Sequence, residues 1–264
     1  DDTTGAFNIE VGYSMDAADL MFAIVKEAEG TDETPTVDAD TDRMVFDVNV
    51  KEAGPMTKLN FTYVMEDNEV TEEGASLMLL DAAAPIGPVT FDVQYGTFSG
   101  TNANALSTTE EDDYFGTAVG INAGDLDAEG DFMLITIGLD ELAGFDLNLS
   151  YFSASEDLYP LWEEDYAPYQ IIQDEVQPHE SSRDMTVIGL TGSYAYNDKL
   201  TLGAAFVMAE TTEDGDDLGS EFDLTATYKI ADNVTYKAAY GSYSEGDFAI
   251  GDITKYFNRL TVTF

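Results

Sequence analysis

The chain has 264 residues, 44% of them hydrophobic, which is enough for one large β domain or two ordinary domains. Its 10 Lys and Arg against 53 Asp and Glu give a formal net charge of -43, which repels nucleic-acid phosphates and excludes nucleic acid as a partner. It contains no cysteine, so disulfides, thiolate nucleophiles and cysteine metal sites are excluded as well.

The longest apolar run, "LMFAIV" at 20–25, is strand-sized and far below the ~18 residues that a membrane helix needs. A helical membrane protein is therefore excluded. The chain opens with "DDTT" and shows neither a cationic nor an apolar leader segment. This start indicates either a mature form whose signal peptide has been removed or a cytosolic chain.

Apolar residues recur at every second position along almost the whole chain, which predicts β-strands. No linker rich in Pro or Gly divides it, so we expect a single domain over 1–264. With the turn signals as boundaries, the predicted strands are 5–15, 18–27, 42–52, 56–66, 72–81, 87–98, 113–123, 129–139, 144–153, 184–196, 198–209, 220–230, 233–243 and 252–264.

The alternation differs in clarity from one segment to the next. In 220–230, for example, Phe222 and Leu224 share one parity while Asp223 and Thr225 share the other. The alternation is similarly clear in 5–15, 87–98 and 144–153. It is less clear in 18–27, 72–81, 129–139 and 184–196, whose facing stays open.

Alternation alone does not say whether the apolar face meets a protein core or lipid. Soluble sandwiches commonly use strands of five or six residues, whereas segments of about ten residues, as here, cross a bilayer when tilted. Tyrosines on the apolar parity suggest an aromatic girdle at a membrane interface. These tyrosines, expected near strand ends, are Tyr13, Tyr63, Tyr95, Tyr151, Tyr228, Tyr240 and Tyr256.

The last segment is "YFNRLTVTF", in which Tyr256, Leu260, Val262 and Phe264 share one parity, interrupted by Asn258. A terminal Phe preceded by alternating apolar residues resembles the C-terminal signature of bacterial outer-membrane β-barrels, which the assembly machinery of that family reads. The resemblance implies that these four residues form an assembly signal. It also implies that the last strand pairs with the first, because an open edge in hydrocarbon leaves backbone groups unsatisfied.

A second resemblance covers roughly residues 143–264. The runs "LYPLWEEDY", "LTGSYAYNDKLTLGAAF" and "GSEFDLTATYKIADNVTYKAAYGSYSEGD" are similar to the C-terminal half of outer-membrane porins of the alginate-export type. This resemblance implies the fold and the compartment. The N-terminal half shows no such match and the chain is short for that group, so an alginate-like substrate is not carried over.

These observations predict an all-β fold, a single transmembrane antiparallel up-and-down β-barrel of about fourteen strands, with twelve to sixteen as the range. A barrel of that width leaves an aqueous lumen, which the polar parity would line. The charged pore-lining candidates are Glu10, Asp47, Lys58, Asp92, Asp146, Glu221, Asp223, Lys229, Lys237, Lys255 and Arg259. Uncharged candidates on the same parity are Asn49, Asn60, Gln94 and Asn148.

Four of the ten basic residues, Lys229, Lys237, Lys255 and Arg259, fall in the last three predicted strands, whereas acids dominate this parity elsewhere. Opposed charge across a pore produces a transverse field that tunes ion selectivity. The same side chains could instead pair with one another, for example Arg259 with Glu10 across the closing seam, and only stiffen the interior.

The long loop at 154–183 contains the only Trp and the only His of the chain. A long apolar loop is often functional, and this one could fold inward and narrow the channel. It could equally cover the barrel mouth or contact a partner subunit. The constriction-loop candidates are Trp162, Tyr166, Tyr169 and His179.

Enzymatic chemistry is not indicated. His179, in "QPHES", is the only candidate general base, and no GxSxG, HExxH, phosphate-loop or dinucleotide motif is present. The runs "DADTDR" at 38–43 and "TTEDGDDLGSE" at 211–221 lack the Gly and Glu positions of a calcium loop. We expect no cofactor and no dedicated metal site, and at most weak binding of Ca²⁺ or Mg²⁺ by the acidic loops.

The function predicted from the sequence is that of a bacterial outer-membrane porin, a passive channel for small hydrophilic solutes or ions. Its expected partners are outer-membrane lipid, these solutes and the outer-membrane assembly machinery; the oligomeric state stays open. The alternative is a plugged or narrow structural barrel whose acidic loops bind a partner, a surface layer or divalent cations. A third possibility is a soluble acidic β protein.

The predicted strand order carries one conflict. With both termini in the periplasm, fourteen strands place the long loops 28–41 and 99–112 on the periplasmic side, where turns are normally short. Either a strand is miscounted between 99 and 154, or these turns are long.

Overall fold

The fold was analysed on a computed structural model. It describes residues 7–28, 41–51, 54–68, 73–100, 119–121, 128–142, 144–155, 158–160, 184–211, 215–247 and 251–263. The strands are β1 (Phe7–Ser14), β2 (Ala18–Ala28), β3 (Thr41–Val50), β4 (Lys58–Asn68), β5 (Glu73–Ile86), β6 (Val89–Gly100), β7 (Val119–Ile121), β8 (Ala128–Leu142), β9 (Phe145–Ala154), β10 (Leu158–Pro160), β11 (Met185–Asn197), β12 (Leu200–Thr211), β13 (Asp217–Ala231), β14 (Val234–Ser244) and β15 (Ile253–Val262).

Thirteen of these strands form one up-and-down sheet in which each strand pairs antiparallel with the next along the chain, in the order β1-β2-β3-β4-β5-β6-β8-β9-β11-β12-β13-β14-β15. The two short strands β7 and β10 form a separate two-stranded sheet. The all-β antiparallel class is therefore confirmed, and thirteen strands fall inside the predicted range. Among the described residues, no helix has the length and apolar character needed to cross a bilayer.

The prediction of a main-sheet strand at 113–123 is wrong. Within that segment the structure describes only Val119–Ile121 as strand, and it pairs with β10, so β6 hydrogen-bonds directly to β8. Removing this strand reverses the direction of every earlier strand relative to the later ones. The long connections after β2, β6, β9, β12 and β14 then all leave from one end of the sheet, which removes the conflict in loop placement.

We call this end the loop end and the opposite end the turn end. At the turn end the connections are short, such as Gly87 and Pro88 between β5 and β6. Gly87 has a φ of 65°, and a positive φ at the first position of a two-residue hairpin loop favours Gly. Because thirteen antiparallel strands lie in order, β1 and β15 run in the same direction, from the loop end to the turn end.

The two faces of the sheet differ sharply in burial. On β13, Glu221 and Asp223 are 0% exposed, whereas Phe222 and Leu224 between and beside them are 42% and 45% exposed. The same inversion recurs on β12, where Val207 is buried and Phe206 and Met208 are exposed. The sheet thus has an inner face whose side chains are covered and an outer face on which large apolar side chains are exposed.

The loop-end half of the inner face is itself apolar. Its buried side chains contact one another and form a single cluster, which we call the apolar belt. The belt spans β2 to β14 and consists chiefly of Val45, Val64, Leu77, Leu79, Phe98, Phe132, Phe152, Met185, Val187, Val207, Leu218 and Tyr243. Most of the polar and charged residues of the inner face lie in its turn-end half; Glu221 is an exception, since it is covered and directly opposite Val207 and Tyr243 of the belt.

Tyrosines of the outer face follow the girdle prediction only in part. Tyr13, Tyr194, Tyr196, Tyr228 and Tyr236 lie near the turn end of their strands, and the Tyr194 ring stacks on that of Phe145 with 4.4 Å between centroids. By contrast, the predicted girdle residues Tyr63, Tyr95 and Tyr240 lie near the middle of β4, β6 and β14. Tyrosine is favoured throughout strands, and this preference explains their position better than a girdle does.

Candidate functional site

The inner face of the sheet, chiefly its turn-end half, is the candidate functional site. Ten of the eleven charged residues predicted to line a pore lie on strand residues whose parity faces inward, from Asp47 on β3 to Arg259 on β15. The remaining one, Glu10 on β1, has the matching parity, since it pairs in register with buried Ala23, but its side chain is exposed. Pore lining itself stays a prediction, because it depends on an open path along this face.

An acidic part of this site lies on β3 to β6. Lys58 forms an ion pair with Asp81 Oδ2 across the β4–β5 ladder. Thr62 donates its hydroxyl to Asp47 Oδ1 at 2.7 Å across the β3–β4 ladder. Asp92, on β6, is half-buried and is opposite the small residue Ala83, which is also opposite Lys58. One lysine therefore lies among several carboxylates here.

The basic part lies on β14 and β15. Lys237 and Arg259 are directly opposite each other in the ladder, both half-buried on the inner face. The Arg259 guanidinium lies over the Phe257 ring, 5.5 Å from its centroid, and a cation–π contact of this kind holds the charge against the wall. The alternative pairing of Arg259 with Glu10 is not formed, since Glu10 makes no ion pair in the part of the chain that the structure describes.

Lys229 marks the turn end of β13 and differs from the other bases. Its Nζ forms an ion pair with Asp232 Oδ1 at 2.9 Å, in the turn that joins β13 to β14. The hydrogen bond from Lys229, together with its positive charge, holds the pKa of the exposed Asp232 carboxyl below its usual value. Lys229 thus neutralises a turn acid at the rim of the inner face.

Acids also lie among the bases. Glu221 and Asp223 on β13 are opposite Tyr243 and Gly241 of β14, and Gly241 is in turn opposite Lys255 of β15. Because Gly241 has no side chain, nothing on β14 separates Asp223 from Lys255 in this row. The inner face is therefore not divided into one negative and one positive wall as expected, since side chains of both charge signs occur on β13 to β15.

A polar cavity of about 180 Å³ opens on the inner face across β9, β11, β12 and β13. Gly203 and Ala205 form its floor, and the hydroxyl of Ser193 donates to Asp146 Oδ2 at 3.3 Å. The polar side chains around it are Asp146, Asn148, Thr191, Ser193, Asp223 and Thr225. The cavity thus offers carboxylate acceptors together with amide and hydroxyl groups that can both donate and accept.

The remaining predicted functional residues lie mostly outside the described part of the chain. This applies to Trp162, Tyr166, Tyr169 and His179, and to Phe264 of the assembly signal. The other three residues of that signal, Tyr256, Leu260 and Val262, are exposed on the outer face of β15. Among the described residues, no three His, Cys, Asp or Glu side chains are placed so that they could hold a metal ion.

Sequence reasoning missed Asp81, which belongs to the site, and the apolar belt beside the site. Asp81 is buried on the inner face of β5, between Leu79 and Ala83. Its segment, "LMLLDAAAPI", is apolar on both parities, so the alternation gave no direction. Pairing with β6, whose alternation is clearer, would have identified the face on which Asp81 lies, because Gln94 on the inner face of β6 is directly opposite it.

The fold is that of outer-membrane porins. The chain is similar to Pseudomonas aeruginosa OccK3 (OpdO), with a TM-score of 0.53, 12% identity, and coverage of 97% of this chain and 71% of that one. It is also similar to the outer membrane protein OprD from Pseudomonas aeruginosa (TM-score 0.51, 12% identity, 96% and 66% covered). A third similar structure is Acinetobacter baumannii OccAB4 (TM-score 0.52, 14% identity, 98% and 64% covered).

No protein-family model matches the chain, and no curated protein matches it. The likeness to porins is therefore one of fold, at an identity too low to carry a substrate across. The resemblance to porins of the alginate-export type stays an expectation, since the similar structures belong to differently named porins.

Proposed function

We propose that the protein is a porin of the bacterial outer membrane, a passive diffusion channel for small hydrophilic solutes or ions. The observation that carries the proposal is the contrast between the two faces of one sheet. Large apolar side chains are exposed on the outer face, while charged side chains are covered on the inner face, as with Leu224 and Asp223 on β13. In water this arrangement would be inverted.

Lipid is the solvent that suits the outer face. An exposed apolar surface that continues over thirteen strands greatly exceeds the patches found on soluble monomers. The strands that cross the sheet from end to end are mostly 10 to 15 residues long, which is enough to span a bilayer when tilted. Outer-membrane lipid is thus the first proposed partner.

The charges of the inner face would set the selectivity of the channel. Asp47, Asp92 and Asp146 face inward from three different strands, and the bases gather on β14 and β15. Because the lumen is bounded by a low-dielectric wall, such charges act over longer distances than they would in water. With a net charge of -43 overall, a preference for cations over anions is expected. No step of chemical turnover is part of this function.

The outer face of β15 would serve in assembly. Tyr256, Leu260 and Val262 are exposed in a row along the last strand, as a sequence read by the outer-membrane assembly machinery requires. A free strand edge offers its backbone N–H and C=O groups to a partner strand, so β15 could be recognised before the barrel is complete.

A second candidate function is a narrow or plugged barrel that serves as a scaffold, with acidic loops that bind a partner, a surface layer or divalent cations. The apolar belt favours it. Val64 and Val207 of the belt are 0% exposed although they face inward, and Glu221, opposite Val207, is covered as well. A dry apolar ring can interrupt conduction by excluding water.

Planar-bilayer recording separates the two candidates. The refolded full-length protein should give stepwise currents in KCl, with steps of uniform size, and its reversal potential in a KCl gradient should indicate cation preference. Silence from protein that is folded by circular dichroism and resists heat in detergent would overturn the channel and support the scaffold. Purification of folded protein without any detergent would overturn both.

A further inference from the structure

The inner wall of β4, β5 and β6 carries a row of three oxygen-bearing side chains, Asn60, Asp81 and Gln94. In the antiparallel ladders Asn60 is directly opposite Asp81, and Asp81 is directly opposite Gln94. Directly opposed residues have Cβ atoms about 4.5–5.5 Å apart, so the three side chains are neighbours on one face.

Each of these side chains presents an oxygen that is buried and has no hydrogen-bond partner. The atoms are Asn60 Oδ1, Asp81 Oδ1 and Gln94 Oε1. Asp81 is the most deeply placed of the three residues, with 8% of its surface exposed. Buried acceptors are nearly always satisfied in folded proteins, so three oxygens in a row without a protein partner suit a bound donor or a cation.

The neighbouring charges define what could occupy the row. Lys58 pairs with the other carboxylate oxygen, Asp81 Oδ2, and leaves Oδ1 unpaired. Asp92 lies on the same wall, two residues before Gln94. Asp81 and the two charged residues diagonally opposite it, Asp92 and Lys58, carry −1, −1 and +1, so the charge next to the row is −1; Asp47, the other carboxylate of this wall, lies two strands from Asp81 and is not counted. One monovalent cation would neutralise it.

We propose that Asn60 Oδ1, Asp81 Oδ1 and Gln94 Oε1 form a binding site for a dehydrated monovalent cation of the sodium or potassium type. All three ligands are carboxylate or amide oxygens, which suit hard cations. A divalent cation would leave the site with a net positive charge. A water molecule has two protons for three acceptors and leaves the charge uncompensated. The proposed site binds a cation within the wall, which is a property separate from the diffusion of solutes through the lumen.

Thallium(I), which replaces potassium and scatters anomalously, is the probe for the decisive experiment. Crystals of the full-length protein in detergent are soaked in thallium(I) nitrate, with crystals in choline nitrate as the reference. The expected result is an anomalous peak within ligand distance of all three oxygens, lost when sodium is added in excess. The proposal is overturned by a peak-free row in which a water, or the turned amide of Asn60 or Gln94, donates to Asp81 Oδ1.

A second measurement does not need crystals. The melting temperature of the folded protein is compared in sodium chloride and in choline chloride at equal ionic strength, so that general screening of the acidic surface is the same in both. The wild type should melt a few degrees higher in sodium, since a ligand that binds only the folded state stabilises it.

Substitutions that preserve charge locate this effect. Asn60→Leu and Gln94→Leu each remove one oxygen and should raise the sodium concentration needed for half the effect by about tenfold. Asn258→Leu removes an amide of the outer face on β15 and should leave the sodium effect unchanged. An equal loss in all three variants would overturn the assignment of the site to this row. Both measurements use folded protein and no current, so a failed ion site and a failed channel are told apart.

Discussion

The loop-end and turn-end halves of the inner face are built from different chemistry although the same strands pass through both. On β13, Leu218 lies in the apolar belt, and Thr225 and Thr227 lie in the polar half some residues further on. On β6, Phe98 lies in the belt and Asp92 in the polar half. The belt resembles the core of a soluble protein, whereas the polar half resembles the wall of an aqueous compartment.

This difference separates stability from selectivity along the axis of the sheet. Belt residues are buried and contact each other across many strands, so they contribute to the stability of the sheet. The charges of the polar half are held by local bonds such as Thr62 to Asp47, and they can act on solutes. A change in one half should therefore alter the fold, and a change in the other should alter the current.

The largest effect is expected from truncating a large side chain of the apolar belt. Phe132 on β8 is 1% exposed, and its ring lies against the backbone of Gly96, where a Cβ would overlap with it. Phe132→Ala should lower the free energy of unfolding by about 3–5 kcal/mol, since a cavity remains. Urea unfolding of protein refolded in lipid vesicles measures this.

Ile137→Ala is the matched control, on the outer face of the same strand at 36% exposure. Acyl chains are as apolar as the side chain they would replace there, so its cost should stay below about 1 kcal/mol. Equal losses of unfolding free energy in the two variants would mean that burial in the belt stabilises the fold no more than contact with lipid does.

The next effect tests which solvent covers the outer face. Leu224, in the middle of β13 and 45% exposed, should tolerate Arg in water but not in hydrocarbon. Leu224→Arg is expected to cost about 2–4 kcal/mol in vesicles. Thr227→Arg, on the inner face of the same strand, should cost clearly less. A neutral Leu224→Arg would show that this face does not meet lipid.

Much of this arrangement follows from sequence where one parity is apolar and the other is polar. In β13 the alternation of Phe222 and Leu224 with Glu221 and Asp223 predicted the facing that burial confirms. The all-β class and the antiparallel order were predicted for the same reason, since a period of two specifies strands and short turns specify antiparallel neighbours.

The parts that sequence did not predict have physical causes. Crossing the belt does not by itself hide the facing of a strand, since β6 and β9 also contribute to the belt and alternate clearly. The facing is hidden where inward and outward residues are both apolar. On β5, Leu79 is buried inward while Met78 and Leu80 are exposed outward, so the pattern carries no parity signal. The false strand at 113–123 had alternation, but pairing is decided by the partner, and β8 occupies that place beside β6.

A smaller effect is expected from the charges of the polar half. Lys237→Gln and Arg259→Gln each remove one of two opposed positive charges from β14 and β15. In the proposed channel each should raise the ratio of cation to anion permeability by roughly twofold. Asp146→Asn should lower it, and Lys199→Gln in an exposed turn should leave it unchanged. Reversal potentials in a KCl gradient measure all four.

The smallest effect concerns the rim. Because Lys229 donates to Asp232 and lowers its pKa, the folded carboxyl releases its proton at a lower pH than the unfolded one, which titrates near the usual value of about 3.9. The folded state therefore gains stability above the unfolded pKa and loses it as the pH falls through the folded pKa. Exposure makes this gain slight, so the titration is the better measurement. Carboxyl NMR of Asp232 should give a midpoint below the usual value for an Asp, and Lys229→Met should return it to the usual range. An unchanged midpoint in this variant would mean that the ion pair does not persist in solution.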